Sequence, residues 1–98
     1  MPNAGEYRRH AERLTAEAVR IDALVTALER RPFDATVGGP LQRAGVERLG
    51  EVVAVLRDAS SELQRLADEC RRRAEVCDDY ARQLAAYWAR PLHLRIGT

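Results

Sequence analysis

Residues 46–88, VERLGEVVAVLRDASSELQRLADECRRRAEVCDDYARQLAAYW, decide the fold. Through this stretch, apolar or small residues recur at alternating steps of three and four, the spacing of one face of a heptad helix. Ser60 is the one polar member of the row. The spacing predicts a long second helix over about 41–89 that packs along the row. The row consists of Val46, Leu49, Val53, Leu56, Ser60, Leu63, Ala67, Cys70, Ala74, Cys77, Ala81, Leu84 and Trp88.

The first third of the chain carries a shorter row of the same kind, which predicts a helix over about 5–31. Pro32 stops that helix, residues 32–40 form a turn, and Pro91 ends the second helix. Residues 90–98 have no periodicity and form a loose tail. The chain is therefore expected to be a single all-α domain, 1–98, folded as an antiparallel helical hairpin. The first row consists of Tyr7, Ala11, Leu14, Ala18, Ile21, Val25 and Leu28.

Two features of the second helix leave its shape open. Ser61 and Gln64 have the spacing of a capping box, so the helix can be kinked or restarted near residues 58–61. The helix spans about 70 Å if unbroken, against about 40 Å for the first. The apolar positions from Cys70 to Trp88 would then face water, unless the helix bends back into a three-helix bundle or a second chain covers it. We expect the second chain, which makes a four-helix bundle.

The composition excludes several classes of protein. The 16 basic residues are all arginine, 15 residues are acidic, and the formal net charge is +1, so no excess positive charge marks a nucleic-acid binder. The densest basic run, 71–73, is surrounded by carboxylates. No stretch of roughly 20 apolar residues could insert into a membrane, and no signal peptide is recognisable. We expect a cytoplasmic protein.

Reactive and metal-binding residues are sparse, so we expect no enzyme, cofactor or metal. The two histidines lie near opposite ends of the chain, and no Cys, His or Ser grouping has the spacing of a metal or nucleophile site. Cys70 and Cys77 would be roughly 10 Å apart along one helix, too far for a bridge within the chain. They are expected to be small packing residues, with a bridge between two chains as the alternative.

The organisation resembles a known family. The matching pieces are Tyr7-Arg8-Arg9-His10-Ala11 with Leu14 and Ala18, the turn over 33–40, and the alanine-rich stretch ending in Tyr80. Together they resemble the WXG-type helical hairpins of type VII (ESX) secretion systems, and within them the EspC-like secretion-associated proteins of actinobacteria. The resemblance implies pairing with another hairpin and export as a folded pair without a cleaved signal peptide.

The chain departs from that family at two motifs. Where the family has Trp-x-Gly, the turn here reads Val37, Gly38, Gly39. The family's YxxxD/E export motif is missing, because Leu84 follows Tyr80 at the fourth position.

The sequence therefore predicts a helical protein–protein interaction module. Its partner is another helical hairpin, in a heterodimer; the alternative is a homodimeric four-helix bundle that acts as a cytosolic scaffold or regulator with no secretion role. The apolar and aromatic residues of the second helix are the candidates for partner binding. They are Leu49, Leu56, Leu63, Leu66, Tyr80, Leu84, Tyr87 and Trp88.

Overall fold

The fold is a hairpin of two helices, α1 (Ala4–Arg30) and α2 (Pro40–Ala89). The computed structural model describes residues 2–30 and 40–93. The expected bounds were about 5–31 and about 41–89. The expected turn, with Val37, Gly38 and Gly39, lies outside the described residues. The prediction of an all-α hairpin with a long second helix is confirmed.

Asn3 caps the start of α1. The Glu6 backbone N–H donates to Asn3 Oδ1 at 2.9 Å, and the Asn3 side-chain amide reaches the Glu6 carboxylate at 3.5 Å. The first helical bond runs from the Tyr7 N–H to the Asn3 carbonyl, at 3.1 Å. The Asn3 side chain thus gives the Glu6 backbone N–H a partner that the helix itself does not supply. This is why α1 begins just after Asn3.

The second helix is continuous through residues 58–61, where a restart was considered. Ser61, the expected cap of a restarted helix, is exposed within α2. Its neighbour Ser60 turns towards α1: it is 3% exposed, and its hydroxyl donates to Asp22 Oδ1 at 2.7 Å. Because α2 does not bend back, the three-helix alternative is wrong.

The core between the helices is narrow and built mostly of small residues. Alanines dominate it, and no large side chain in the described part of the chain is fully buried. Small side chains let two helices approach closely, but each buries little apolar area. The core residues are Ala11, Ala18 and Val25 from α1, and Val53, Ser60, Ala67 and Ala74 from α2.

The register of the hairpin differs from the one assumed from the helix lengths. The last turn of α1 lies about a third of the way along α2, since Glu29 pairs with Arg57, and its first turns lie beside Asp78, which pairs with Arg8. The expectation that the apolar row is exposed from Cys70 onward is therefore wrong as far as Cys77. Cys70 and Cys77 are half-buried and Ala74 is 2% exposed. Within this row, exposure begins with Ala81.

The molecule is elongated. Its extents are 84 × 17 × 16 Å and its radius of gyration is 24.1 Å, against about 13 Å for a compact chain of this length. No helix in the described ranges combines the length and hydropathy needed to cross a membrane.

Candidate interaction surface

One long side of the hairpin, which we call the polar side, is held by four polar contacts between α1 and α2. The α1 residues repeat every seven positions, and each meets α2 at a matching level. Two of the contacts are ion pairs, and the other two are hydrogen bonds of 2.7 Å, from Arg71 to Thr15 Oγ1 and from Ser60 to Asp22. These contacts fix the antiparallel register. The four pairs are Arg8 with Asp78, Thr15 with Arg71, Asp22 with Ser60, and Glu29 with Arg57.

The opposite long side, which we call the apolar side, follows from the same heptad geometry. On each helix, the row four positions after the buried residues lies on the polar side, so the row three positions after them lies on the other flank. Every member of this second row between the two helix ends is half-buried. The hairpin thus covers only part of each of these side chains. They are Tyr7, Leu14, Ile21 and Leu28 from α1, and Leu56, Leu63, Cys70 and Cys77 from α2.

The second helix adds a further row on the apolar side, which lies farther from α1 than the half-buried row. It consists of Val52, Ala59, Leu66, Arg73, Tyr80 and Tyr87. Combined with the half-buried row, it makes a second heptad stripe on α2, which we call the outer stripe. Its steps alternate between four and three without exception, as do those of the row that packs on α1. The outer stripe consists of Val52, Leu56, Ala59, Leu63, Leu66, Cys70, Arg73, Cys77, Tyr80, Leu84 and Tyr87.

The residues predicted to bind a partner divide into three groups. Leu49, Leu56, Leu63 and Tyr87 are half-buried, whereas Leu66 is 37% exposed on the outer stripe. The others lie at the end of α2, past the first turn of α1, and are well exposed. They are Leu84 at 44%, Trp88 at 61% and Tyr80 at 66%.

The aromatic end of α2 has its own local packing. The rings of Tyr87 and Trp88 meet edge to face, with centroids 5.4 Å apart and planes at 80°. Trp88 belongs to the heptad row whose earlier members pack on α1. At the end of α2 it therefore lies beside the outer stripe and not within it. Large aromatic rings at the end of an apolar stripe are suitable anchors for a protein interface.

Sequence reasoning missed the contribution of α1 to this surface. The residues predicted to bind a partner all belong to α2, whereas the half-burial of Leu14 and Ile21 leaves apolar area on α1 for a further contact. The sequence contained one signal of a second neighbour. On α2, the row that packs on α1 and the outer stripe overlap, and both contain Leu56 and Leu63. Such an overlap indicates a helix that packs against two neighbours.

Charges close to the apolar side are mostly engaged within their own helix. Glu62 pairs with Arg65, and Glu69 accepts from both Arg72 and Arg73. The hydrogen bond from Arg65 lowers the pKa of Glu62, and the bond from Arg72 is the largest cause that lowers the pKa of Glu69. Hydrogen bonding to Tyr7, and then to Glu69, raises the pKa of Arg73.

The described residues offer little for catalysis or metal binding. No group of three or more His, Cys, Asp or Glu side chains in the described ranges could hold a metal ion. A shallow groove of about 360 Å³ on the polar side is lined by Arg8, Glu12, Arg71 and Glu75 with two alanines. Arg8 and Arg71 already pair with Asp78 and Asp68, so the groove offers no concentrated charge to a ligand.

No family model, curated protein or solved structure matches the chain. The function of the chain is therefore inferred from its apolar side.

Proposed function

We propose that the chain is one half of a helical assembly, and that its apolar side is covered by the helices of another protein. The observation that carries the proposal is the continuous apolar side itself, where the two half-buried rows and the outer stripe lie next to one another. An amphipathic helix surface of this kind binds by burying its stripe against apolar residues of a partner.

The surface area supports this proposal. The chain exposes 7832 Å², whereas a compact monomer of its mass would expose about 5,600 Å². The excess, about 2,200 Å², is larger than the roughly 800 Å² that each partner buries in an interface of standard size. The elongated chain therefore has enough surface for an interface of standard size.

The narrow core gives a second reason. Alanine side chains bury little area, whereas the leucines and isoleucine of the apolar side could bury far more against a partner. Adding two helices to this side would place Leu14, Ile21 and Leu63 in the centre of a four-helix bundle. The pairing therefore completes a core that the hairpin alone leaves half open.

The resemblance to type VII secretion-associated hairpins indicates the kind of partner. We propose a second helical hairpin, in the manner of the WXG-type and EspC-like proteins, with export of the pair as a further part of the proposal. The export part is tested by whether the protein appears in culture filtrate only when the ESX membrane machinery is intact.

The pairing is tested by co-expressing the chain with the product of the adjacent gene and comparing two variants. Leu66→Arg places a charge on the outer stripe without touching the row that packs on α1, whereas Ala54→Arg places the same charge at an exposed position on the flank of α2 opposite the outer stripe. We expect Leu66→Arg to weaken co-purification at least about tenfold and Ala54→Arg to leave it nearly unchanged.

Equal behaviour of the two variants would contradict the use of the apolar side. A chain that is stably folded and monomeric by sedimentation, and that binds no helical partner, would contradict the proposal as a whole. A stable homodimer would favour the alternative of a cytosolic four-helix scaffold.

A further inference from the structure

Three consecutive arginines on α2 have three different surroundings. Arg71 lies on the polar side, where it donates to Thr15 Oγ1 at 2.7 Å and to Asp68 at 2.8 Å. Arg72 lies on the outward face and donates to Glu69 at 2.8 Å. Arg73 belongs to the outer stripe, donates to Glu69 at 3.3 Å and also hydrogen-bonds Tyr7, a neutral side chain of α1. Of the three, only Arg73 would be carried into an interface on the apolar side.

Arg73 interrupts a stripe that is otherwise free of charge. Cys70 and Leu66 precede it, and Cys77 and Tyr80 follow it. It is the one charged member of the outer stripe between Val52 and Tyr87, all of which the structure describes. A partner helix that follows this stripe must therefore pass over a guanidinium group.

The charge of Arg73 is only partly balanced. Glu69 serves both Arg72 and Arg73, so this group of three residues retains one positive charge. Water screens that charge while Arg73 is exposed, with 60% of its side chain accessible. When a partner excludes the water, the charge is costly unless the partner supplies a carboxylate.

In the described ranges, the carboxylates that a second copy brings to the apolar side are already engaged. A two-fold interface presents the same surface from both copies, so it would contain two Arg73 side chains. Glu17, Glu62 and Glu69, beside the apolar side, are bonded to Arg20, Arg65 and Arg72 of their own helix, and Glu6 accepts from the Asn3 side chain. Self-pairing would have to break one of these contacts or leave both guanidinium groups without a carboxylate from the other copy.

We propose that Arg73 selects the occupant of the apolar side: a different helical protein, with an acidic residue within its apolar stripe at the level of Arg73. This inference rests on the proposed function and adds the charge of the partner. Arg73 favours that partner by pairing with its carboxylate and disfavours a second copy, which brings another arginine.

The test compares self-association of the full chain and three variants by sedimentation equilibrium. Arg73→Leu completes the apolar stripe, Arg73→Gln removes the charge but keeps a polar group, and Arg72→Leu is the matched control on the outward face. We expect Arg73→Leu to lower the homodimer dissociation constant at least about tenfold, Arg73→Gln to lower it by less, and Arg72→Leu to leave it within about twofold. If Arg73→Leu associates no more tightly than Arg72→Leu, the selection role is overturned.

A variant of the chain can itself serve as a partner with an acidic residue in its apolar stripe. The Arg73→Glu variant, checked for helicity by circular dichroism, serves as the probe and is mixed with the unmodified chain. We expect the mixed dimer to be at least about tenfold tighter than the homodimer of the unmodified chain, and to weaken with added salt. A mixed dimer no tighter than the unmodified homodimer overturns the proposal.

Failure of this inference can be distinguished from failure of the proposed function. Adding Leu66→Arg to the Arg73→Leu chain must abolish the gained association if it uses the apolar side. If the adjacent gene product binds through Leu66 but is indifferent to Arg73→Gln, the proposed function stands and the selection by Arg73 does not.

Discussion

Ser60 shows how one polar residue can fix the alignment of two alanine-rich helices. Small residues at equal spacing fit together equally well when one helix slides by a heptad, so Ala67 and Ala74 alone do not define a register. Ser60 is buried and its hydroxyl meets the Asp22 carboxylate at 2.7 Å. A slide by one heptad would bury that hydroxyl without its partner, at a cost of about 1–3 kcal/mol.

Replacing Ser60 by alanine should therefore lower the free energy of unfolding by about 1 kcal/mol, because one intramolecular hydrogen bond is lost. Asp22→Ala should have a similar effect, and the double variant should be less destabilised than the sum of the two, since both changes remove the same bond. Urea unfolding of the four chains measures the coupling. Ser61→Ala, at the exposed neighbouring position, is the control. Additive effects of the two changes would show that the bond contributes nothing.

At the level of the elements, the two helices could be predicted from sequence but their alignment could not. The heptad rows run without exception to Leu28 and Trp88, and prolines punctuate them, so the approximate ends of α1 and α2 follow from local chemistry. The register depends on contacts between residues far apart in sequence, such as Arg8 with Asp78. The apolar rows fit together in several heptad shifts, and the polar contacts of the folded pair select one of them.

The interaction surface, too, could be predicted from the sequence only in part. The exposed end of α2, with Tyr80 and Leu84, could be predicted because few residues remain in α1 to cover it. The apolar side along Leu14 and Ile21 could not, because which flank of the first row is polar depends on how the two helices face each other.

The ion pairs of Glu62 and Glu69 on α2 lead to a prediction about pH. Glu62 and Glu69 both have a pKa lowered from the usual 4.5, chiefly by hydrogen bonds from Arg65 and Arg72. A carboxylate with a lowered pKa in the folded state stabilises the fold above its unfolded pKa, and that contribution is lost as the pH falls through the folded value. The midpoint of urea unfolding should therefore fall as the pH drops below about 4.5.

The Glu62→Gln/Glu69→Gln chain should show a smaller loss of stability over that pH range than the unmodified chain. Both side chains are exposed, so the difference should be modest and should shrink with added salt. Glu51→Gln removes one carboxylate from the same helix and is the control. An equal acid response of the double variant and the unmodified chain would contradict the role of these pairs.

For the whole molecule, the narrow alanine core makes the lone hairpin weakly stable. A typical domain has a free energy of unfolding of about 5–15 kcal/mol, and most of that comes from buried apolar side chains, which this hairpin leaves half exposed. We expect the lone chain at low concentration to unfold with less than about 5 kcal/mol.

Binding of a partner should raise this stability as the partner concentration rises, because the partner binds only the folded chain. Thermal unfolding over a range of concentrations, with and without the partner, measures the effect. A lone chain that unfolds well above about 5 kcal/mol, with a midpoint independent of concentration, would contradict this account of the core.

The strict repeat of apolar residues on α2 also constrains the shape of any assembly. A straight helix drifts by about 20° for every seven residues relative to such a repeat, which amounts to about 120° between Val46 and Trp88. The stripe stays in contact with a neighbouring helix over that length only if the two coil around each other in a left-handed superhelix. A partner must therefore share the same twist, so that a straight or right-handed pair of helices would meet only a few turns of the surface.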